Sequence, residues 1–418
     1  MTAGAARRDF PALRRRPGEP PIAYLDSACM SLVPRSVLAA MRAYYTETPG
    51  CAGRSLHRWA EAVGRHVEET REEFARFLGA REPASVVFLR NTTEAINLVG
   101  QGIGLARGDA VLISDQEHNS NLVPWQRLAR ERGIRVDILP LPEDGSFPSD
   151  AFEAALGRGV KLVSLFHTSN LDGRTLPLRE IVERAHDRGA RTLFDGAQSA
   201  PHRRVEFDRN GSDFYAISAH KMLGPTGTGV LVGRPDRLRE LRPLLIGGET
   251  VEWSTLEDHE LRAPPHRFEA GLQNYGGILG ARAALAYLER TGLEEIEAAQ
   301  RDLNAIATRE LAEEPRVRIL GPPDPAARPS IFGFSLAGID PHDAALFLDA
   351  GHGVLVRSGR HCVHSWYERR NLAGSVRASF YLYNHRADVR AFVRGVREMI
   401  ERIPVGRVTA AGPPPPGP

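Results

Sequence analysis

D-F-Y-A-I-S-A-H-K-M-L-G-P-T-G-T-G-V-L-V (213–232) decides the fold. It holds two apolar runs of strand length, D-F-Y-A-I-S (213–218) and G-V-L-V (229–232), with a lysine and a glycine-rich turn between them. Working outward, similar runs recur as V-V-F-L (86–89), A-V-L-I (110–113), K-L-V-S-L-F (161–166) and R-T-L-F-D (191–195). Amphipathic stretches of helix length separate them. Short apolar strands alternating with helices predict an α/β fold, a mostly parallel sheet covered on both faces. Ligands of such sheets bind at the carboxyl ends of the strands. The conspicuous polar residues stand just there: Thr92 and Thr93, His118, Asn170, Asp195 with Gln198, and Ser218 with His220 and Lys221.

Further on, L-G-A-R-A-A-L-A-Y-L-E-R (279–290) has the pattern of a long helix leading into a second alternation of strand and helix: I-F-G-F-S-L (331–336), V-L-V-R (354–357) and V-R-A-S-F-Y-L-Y (376–383), closed by a helix over 387–403. The predicted organisation is an N-terminal arm (1–20), a large domain (21–285), a smaller α/β domain (286–405) and a tail (406–418). The tail ends in A-A-G-P-P-P-P-G-P, which cannot bury apolar surface and is expected to be disordered. The 418 residues are 42% hydrophobic and 25% charged, as in a globular protein. With 54 basic against 52 acidic residues there is no global charge to recommend a nucleic-acid or membrane partner. The arginines near the start precede no apolar segment of signal-peptide type, and three scattered cysteines fit a reducing compartment, so the expected location is cytoplasmic.

Lysine occurs only at Lys161 and Lys221; every other basic residue is arginine. Arginine cannot form a Schiff base, because its guanidinium does not deprotonate, whereas a desolvated lysine amine is a nucleophile. Lys161 opens an apolar run and reads as a strand-edge residue. Lys221 follows a strand directly and precedes the glycine-rich turn. Asp195 ends the strand before it, so both side chains are expected at one sheet edge. A carboxylate opposite a pyridinium nitrogen and a Schiff-base lysine are what a pyridoxal 5′-phosphate (PLP) site requires. A helix-capping role for Asp195 is the alternative. Gln198 either reaches the cofactor phenolate or is a solvated helix residue. Thr92 and Thr93 open a helix whose free N–H groups suit a phosphate, or simply cap it. His118 either stacks on the cofactor ring or has no task.

Cys362 lies in V-R-S-G-R-H-C-V-H beside Arg357, Arg360 and His361, where positive charge favours a thiolate. Cys29 and Cys51 read as small buried hydrophobes. One thiol between two histidines lacks the spacing of a metal site, so no metal is expected. The turn G-P-T-G-T-G lacks the G-K-[ST] ending of a phosphate-binding P-loop.

Taken together, L-D-S-A, N-T-T-E-A-I-N-L-V, E-H-N-S-N-L-V-P-W, F-D-G-A-Q-S-A-P-H, S-A-H-K-M-L-G-P-T-G-T-G, R-F-E-A-G, R-S-G-R-H-C and R-A-S-F-Y-L-Y-N resemble, in order from about Tyr24 to Ile403, the group II (Suf-type) cysteine desulfurases among class V PLP enzymes. The resemblance implies the PLP-dependent fold-type I (aspartate-aminotransferase-like) architecture, a homodimer, and conversion of L-cysteine to L-alanine with a persulfide left on the enzyme. It implies delivery of that sulfur to a small acceptor protein, for iron–sulfur cluster assembly or another sulfur-transfer pathway. Carried over, Lys221 matches the Schiff-base lysine, Asp195 the pyridinium partner, Gln198 the phenolate contact and His118 the stacking histidine. Thr93, Ser218 and His220 match phosphate-binding positions, with Thr92 beside them. Asn170, Arg357 and Arg377 match the positions that hold the substrate carboxylate, and Cys362 matches the persulfide-forming cysteine. His342, in D-P-H-D-A, matches a histidine that exchanges into the acceptor's zinc site in some Suf-type enzymes; a helix-capping role is the alternative.

The chain departs from the family where E-A-G-T-P-N-T is common: here the reading is E-A-G-L-Q-N-Y, so Leu272 cannot give the neighbouring subunit's phosphate a hydroxyl, and Gln273 is the residue left to replace it. The segments around Cys29 and Cys51 also depart. A selenocysteine lyase, or a class V aminotransferase or epimerase, shares most of this residue set and is the alternative function.

Overall fold

The structure is a computed structural model and describes residues 6–14 and 21–403. The expected tail at 406–418 lies outside the described residues, as does part of the arm. Within the arm, Phe10 is buried against Tyr287 and Tyr383, with ring centroids 5.9 and 4.8 Å away.

After a short strand β1 (Ala23–Tyr24), the chain builds a seven-stranded sheet from β2 (Val86–Leu89), β3 (Ala110–Ser114), β4 (Arg135–Leu139), β5 (Val160–Phe166), β6 (Arg191–Asp195), β7 (Phe214–Ser218) and β8 (Gly229–Gly233). Their order is β2-β8-β7-β6-β5-β3-β4. Strand β8 runs antiparallel to both its neighbours; every other pair is parallel. The sequence reading missed β4, R-V-D-I-L, because only two of its five residues are buried at the sheet edge and its charged residues break the apolar run. The central strands are buried on both faces, which is why they read as unbroken apolar runs. Val86, Phe88, Leu112, Val163 and Phe194 point into one core, Val87, Val111, Ile113, Leu162 and Leu193 into the other. Each such side chain contributes about 1.5–3 kcal/mol.

A two-stranded hairpin, β9 (Val251–Ser254) and β10 (His259–Leu261), stands out from this body. The helix expected around 279–290 runs over Tyr275–Thr291, from a cap at Asn274, which accepts from Gly277 N at 3.0 Å, to Gly292 at φ 87°. In the following helix, Leu293–Leu311, the first residues Leu293 and Ile296 still belong to the core of the large sheet. Leu303, Ala307 and Leu311 belong to a second core.

That second core lies between helices Leu293–Leu311, Pro341–His352 and Arg386–Arg402 and an antiparallel sheet. The sheet consists of β11 (Val317–Ile319), β12 (Ile331–Leu336), β14 (Arg357–Gly359) and β15 (Ser375–Ser379), in the order β11-β12-β15-β14. Strand β13 (Val354–Leu355) pairs in parallel with β1, so Ala23 and Leu25 pack into this core although they begin the chain. The turn after β1 is thereby delivered to the junction between the two sheets.

Beneath the sheet edge, His167 Nδ1 lies 2.7 Å from Tyr215 Oη and His202 Nδ1 lies 2.8 Å from Gln300 Nε2. A Cβ on Gly196 would fall 2.0 Å from the Tyr215 ring, so the strand-to-helix turn after β6 tolerates no side chain there. Burial holds both histidines neutral, pushing each from 6.5 down to about 3. The unfolded chain takes up these protons near pH 6.5, the folded chain only near pH 3. Their contribution to stability is therefore whole above about pH 6.5 and falls as the pH drops, by up to about 1.4 kcal/mol per unit for each histidine. Urea unfolding midpoints are expected to fall steadily from pH 7 to pH 5; a flat profile would show that these imidazoles are not held neutral.

Candidate active site

The carboxyl ends of β2, β3, β5, β6 and β7 open on a cavity of about 210 Å³, closed from the other side by the turn after β1 and by the segments around β14 and β15. Every residue assigned to the site from sequence lines it. Lys221 sits in a single 3-10 turn, Ala219–Lys221, that continues β7. Burial lowers its amine's proton affinity, and the carboxylate of Asp195 works the other way. Asp195 ends β6 and is itself raised by burial, with Lys221 opposing. Its Oδ1 accepts from Ala197 N at 2.9 Å. Gln198, one turn on, donates to Ala28 O at 2.6 Å and leaves Oε1 buried without a partner.

At the far end of the cavity the helix Thr92–Gly102 begins. Its cap is Asn91, which accepts from Glu94 N at 3.0 Å, so Thr92 and Thr93 are first-turn residues. Thr92 is buried, its N and Oγ1 lying 2.9 and 2.7 Å from Ser218 Oγ. Thr93 is exposed, its Oγ1 2.7 Å from Ser120 Oγ. Hydroxyls and helix N–H groups converge here as an anion site does. His220 lines the cavity beside them, lowered to about 4 by burial and then by Lys221. His118, after β3, caps a short turn by accepting from Ser120 N at 3.0 Å. It is lowered to about 3, first by burial, then by Lys221, Arg377 and Arg357. Its ring is therefore neutral.

The opposite wall carries the arginines. Arg377, on β15, is only 2% exposed. It donates to Asn170 O at 2.8 Å and faces Asp26 Oδ1 at 3.4 Å, leaving Nε unpartnered. Asp26 has no counterpart in the reading of the sequence, although it stands in the L-D-S-A motif. Arg357, on β14, donates from Nη1 to Cys29 Sγ at 2.7 Å.

Cys362 and His361 take left-handed backbone conformations at φ 59° and 49°. Non-glycine residues are rarely held there, at a cost of order 1–3 kcal/mol each. Two long-range hydrogen bonds hold them: Asn170 Nδ2 donates to His361 O at 2.7 Å, and Asn119 N donates to Cys362 O at 2.7 Å. Asn170 thus already braces the thiol-bearing turn with one amide hydrogen. His361 is buried, with Nε2 2.9 Å from Ser375 Oγ and Nδ1 unpartnered.

Two readings of the cysteines change. Cys29 and Cys51, expected to be buried, are both partly exposed. Cys29 lines the cavity because the pairing of β1 with the second sheet carries its turn into the junction; Cys51 does not line it. Gln273 donates to Ala270 O at 3.2 Å in its own loop, and Leu272 is 61% exposed.

The residue pattern of the aminotransferase class-V family matches residues 23–392. A probable cysteine desulfurase of Halalkalibacterium halodurans is 37% identical over 404 residues, covering 96% of this chain and 98% of the relative. A cysteine desulfurase of Serratia proteamaculans is 35% identical, covering 94% and 97%. Among solved structures, the apo cysteine desulfurase of Thermococcus onnurineus superposes with a TM-score of 0.91 at 36% identity, over 96% of this chain and 99% of the other. The Escherichia coli cysteine desulfurase CsdA, solved in an S-sulfonic acid form, gives 0.88 at 32%, over 96% and 99%. With a lysine, a carboxylate, a helix start rich in hydroxyls and a braced thiol on one cavity, and relatives alike over almost their whole length, the chain belongs to the aminotransferase class-V family, among its cysteine desulfurases.

Proposed function

We propose that the protein is a PLP-dependent cysteine desulfurase of the Suf type, which takes sulfur from L-cysteine onto Cys362 and releases L-alanine. The observation that carries the reading is the opening of Lys221 and Cys362 on one cavity between Asp195 and the arginine pair Arg357 and Arg377. The residues suit the cofactor: a desolvated amine, a carboxylate with an oxygen to spare for a ring nitrogen, a neutral histidine, and a buried Gln198 Oε1 lacking a donor. Bound there, PLP supplies the electron sink for a carbanion at the substrate α-carbon. Thr93, Ser218 and His220, with Thr92, would hold its phosphate. Asp195 would pair with its ring nitrogen and keep it protonated, Gln198 would serve its phenolate, and His118 would be the histidine beside its ring.

The other steps belong to the side chains. Arg357 and Arg377 take the substrate carboxylate, for which a guanidinium fork is suited. Asn170 braces both Arg377 and the Cys362 turn. The Lys221 amine carries the α-proton, which burial favours by disfavouring its charged form and so leaving the amine able to accept a proton. Cys362 Sγ, as thiolate, attacks the substrate sulfur; the sulfur–sulfur bond forms as the substrate carbon–sulfur bond breaks, and its electron pair passes to the carbon that becomes the methyl group of alanine. The holoenzyme given L-cysteine and a reductant is expected to release alanine and sulfide in equal amounts; amino-group exchange with keto acids and no sulfide would favour an aminotransferase.

We further propose a cytoplasmic homodimer that hands its sulfur to a small acceptor protein. Among the described residues no helix is long and apolar enough to cross a membrane. Leu245, Ile246, Trp253, Leu256 and Leu272 are exposed around the hairpin β9–β10, an apolar surface suited to a second copy. For the acceptor, His342 is exposed at the start of helix Pro341–His352, where the cap is Asp340, so the imidazole itself is free of that duty. It lies 2.9 Å from Ser358 Oγ on β14, the strand that leads to Cys362. His342→Ala is expected to leave cysteine turnover with reductant intact and to lower acceptor-stimulated transfer several-fold; unchanged stimulation would remove His342 from the acceptor site.

A further inference from the structure

We infer that Cys29 is a second sulfur-carrying thiol, which takes over the outer sulfur of the persulfide formed on Cys362. The inference rests on the role of Cys362 proposed above. Of the three cysteines, only these two line the cavity, both partly exposed and neither in a disulfide. They belong to segments 333 positions apart in the chain, brought together by the pairing of β1 with β13 and by the shared junction of the two sheets.

Cys29 has a cationic neighbour. Arg357 Nη1 donates to its Sγ at 2.7 Å, presenting a permanent positive charge to the sulfur. The backbone that carries it is clamped on both sides. Cys29 N donates to Asp26 O at 3.0 Å, Ala28 N to Ser379 Oγ at 2.9 Å, and Ala28 O accepts from Gln198 at 2.6 Å. The space the thiols share is also lined by Gln198, His361 and Arg377, whose buried Oε1, Nδ1 and Nε have no hydrogen-bond partner. An inert thiol needs neither an arginine donor nor access to that space.

The step is a thiol–persulfide exchange. Cys29, as thiolate, attacks the outer sulfur of the Cys362 persulfide. A bond forms from Cys29 Sγ to that sulfur, and the bond from Cys362 Sγ to it breaks, its electron pair leaving with Cys362 as thiolate. The proton on the outer sulfur travels with it. Cys29 is oxidised to the persulfide and Cys362 reduced by the same amount, so no outside oxidant or reductant enters. Cys362 is then free for a second cysteine before any acceptor arrives.

The test is to give the holoenzyme L-cysteine without reductant, alkylate with iodoacetamide, and map and count the sulfane sulfur. Wild type is expected to hold about two sulfurs per subunit, one on the Cys29 peptide, and Cys29→Ser about one. Cys362→Ser is expected to hold none. A persulfide on Cys362 and none on Cys29 would overturn the inference alone, as would a Cys29–Cys362 disulfide with sulfide released. Sulfur on Cys29 in Cys362→Ser would overturn the order of transfer. No persulfide on Cys362 in wild type, with alanine still formed, would instead overturn the proposed function. Because wild-type mapping decides the main point, the inference stays testable even if Cys29→Ser fails to fold.

Discussion

Lys221→Ala is expected to lower alanine and sulfide production from L-cysteine by about 10²–10⁴-fold or more, the span commonly lost with a positioned proton carrier. The amine is desolvated at the end of β7 and faces Asp195 at the end of the neighbouring β6, so no other lysine can take its place. Lys161, the only other one, is exposed on β5 and does not line the cavity. Purified wild type is expected to be yellow, with a band that borohydride bleaches while fixing the cofactor covalently on the Lys221 peptide. Lys221→Ala still presents Thr92, Thr93, Ser218 and His220 to the cavity and is expected to bind the cofactor reversibly, so that gel filtration strips it. A colourless wild type that cannot be reconstituted, or a label on Lys161, would contradict the assignment. A fall in activity with the covalent label intact on another residue would do so as well.

That lysine was legible because its chemistry is local. A strand of apolar residues, a break, and the one basic side chain able to act as a nucleophile lie within a few positions of each other, and Asp195 and Gln198 repeat the arrangement one strand earlier. The fold was legible for the same reason: β3, β5, β6, β7 and β8 are buried on both faces and read as apolar runs. Strand β4 escaped because a half-exposed edge strand has no such run. The parts of the site that escaped depend on long-range geometry. The brace from Asn170 to His361 spans 191 positions, and that from Asn119 to Cys362 is made by a backbone N–H, which no residue type announces. The left-handed backbone at His361 and Cys362 is carried by residues that do not favour it, so nothing in R-H-C-V foretells it. Cys29 was misjudged because burial statistics describe cysteines in general, and its exposure comes from one two-residue strand pairing with the far end of the chain.

Cys362→Ala separates the carbanion chemistry from the sulfur chemistry. Lys221 and Asp195 remain, so the variant is expected to keep its cofactor colour and to change its spectrum on adding L-cysteine as wild type does. Sulfide and alanine production from cysteine is expected to be lost, because no thiol is left in the braced turn to take the sulfur. The loss is chemical rather than structural. Cys362 is partly exposed, its backbone is held through carbonyl oxygens that alanine also possesses, and the substitution opens no core cavity. Cys51→Ala is the control, since Cys51 lies outside the cavity, and is expected to stay within a small factor of wild type. Cys29→Ala is not a neutral control, because it removes the sulfur on which Arg357 rests. A selenocysteine substrate adds the decisive comparison: selenium leaves carbon more readily and has less need of a thiolate, so Cys362→Ala is expected to retain far more activity toward selenocysteine than toward cysteine. If instead Cys362→Ala releases alanine from cysteine at the wild-type rate, the thiol takes no part in breaking the carbon–sulfur bond. The braced left-handed turn would then serve something other than desulfuration, and a lyase specialised for selenocysteine would describe the site better.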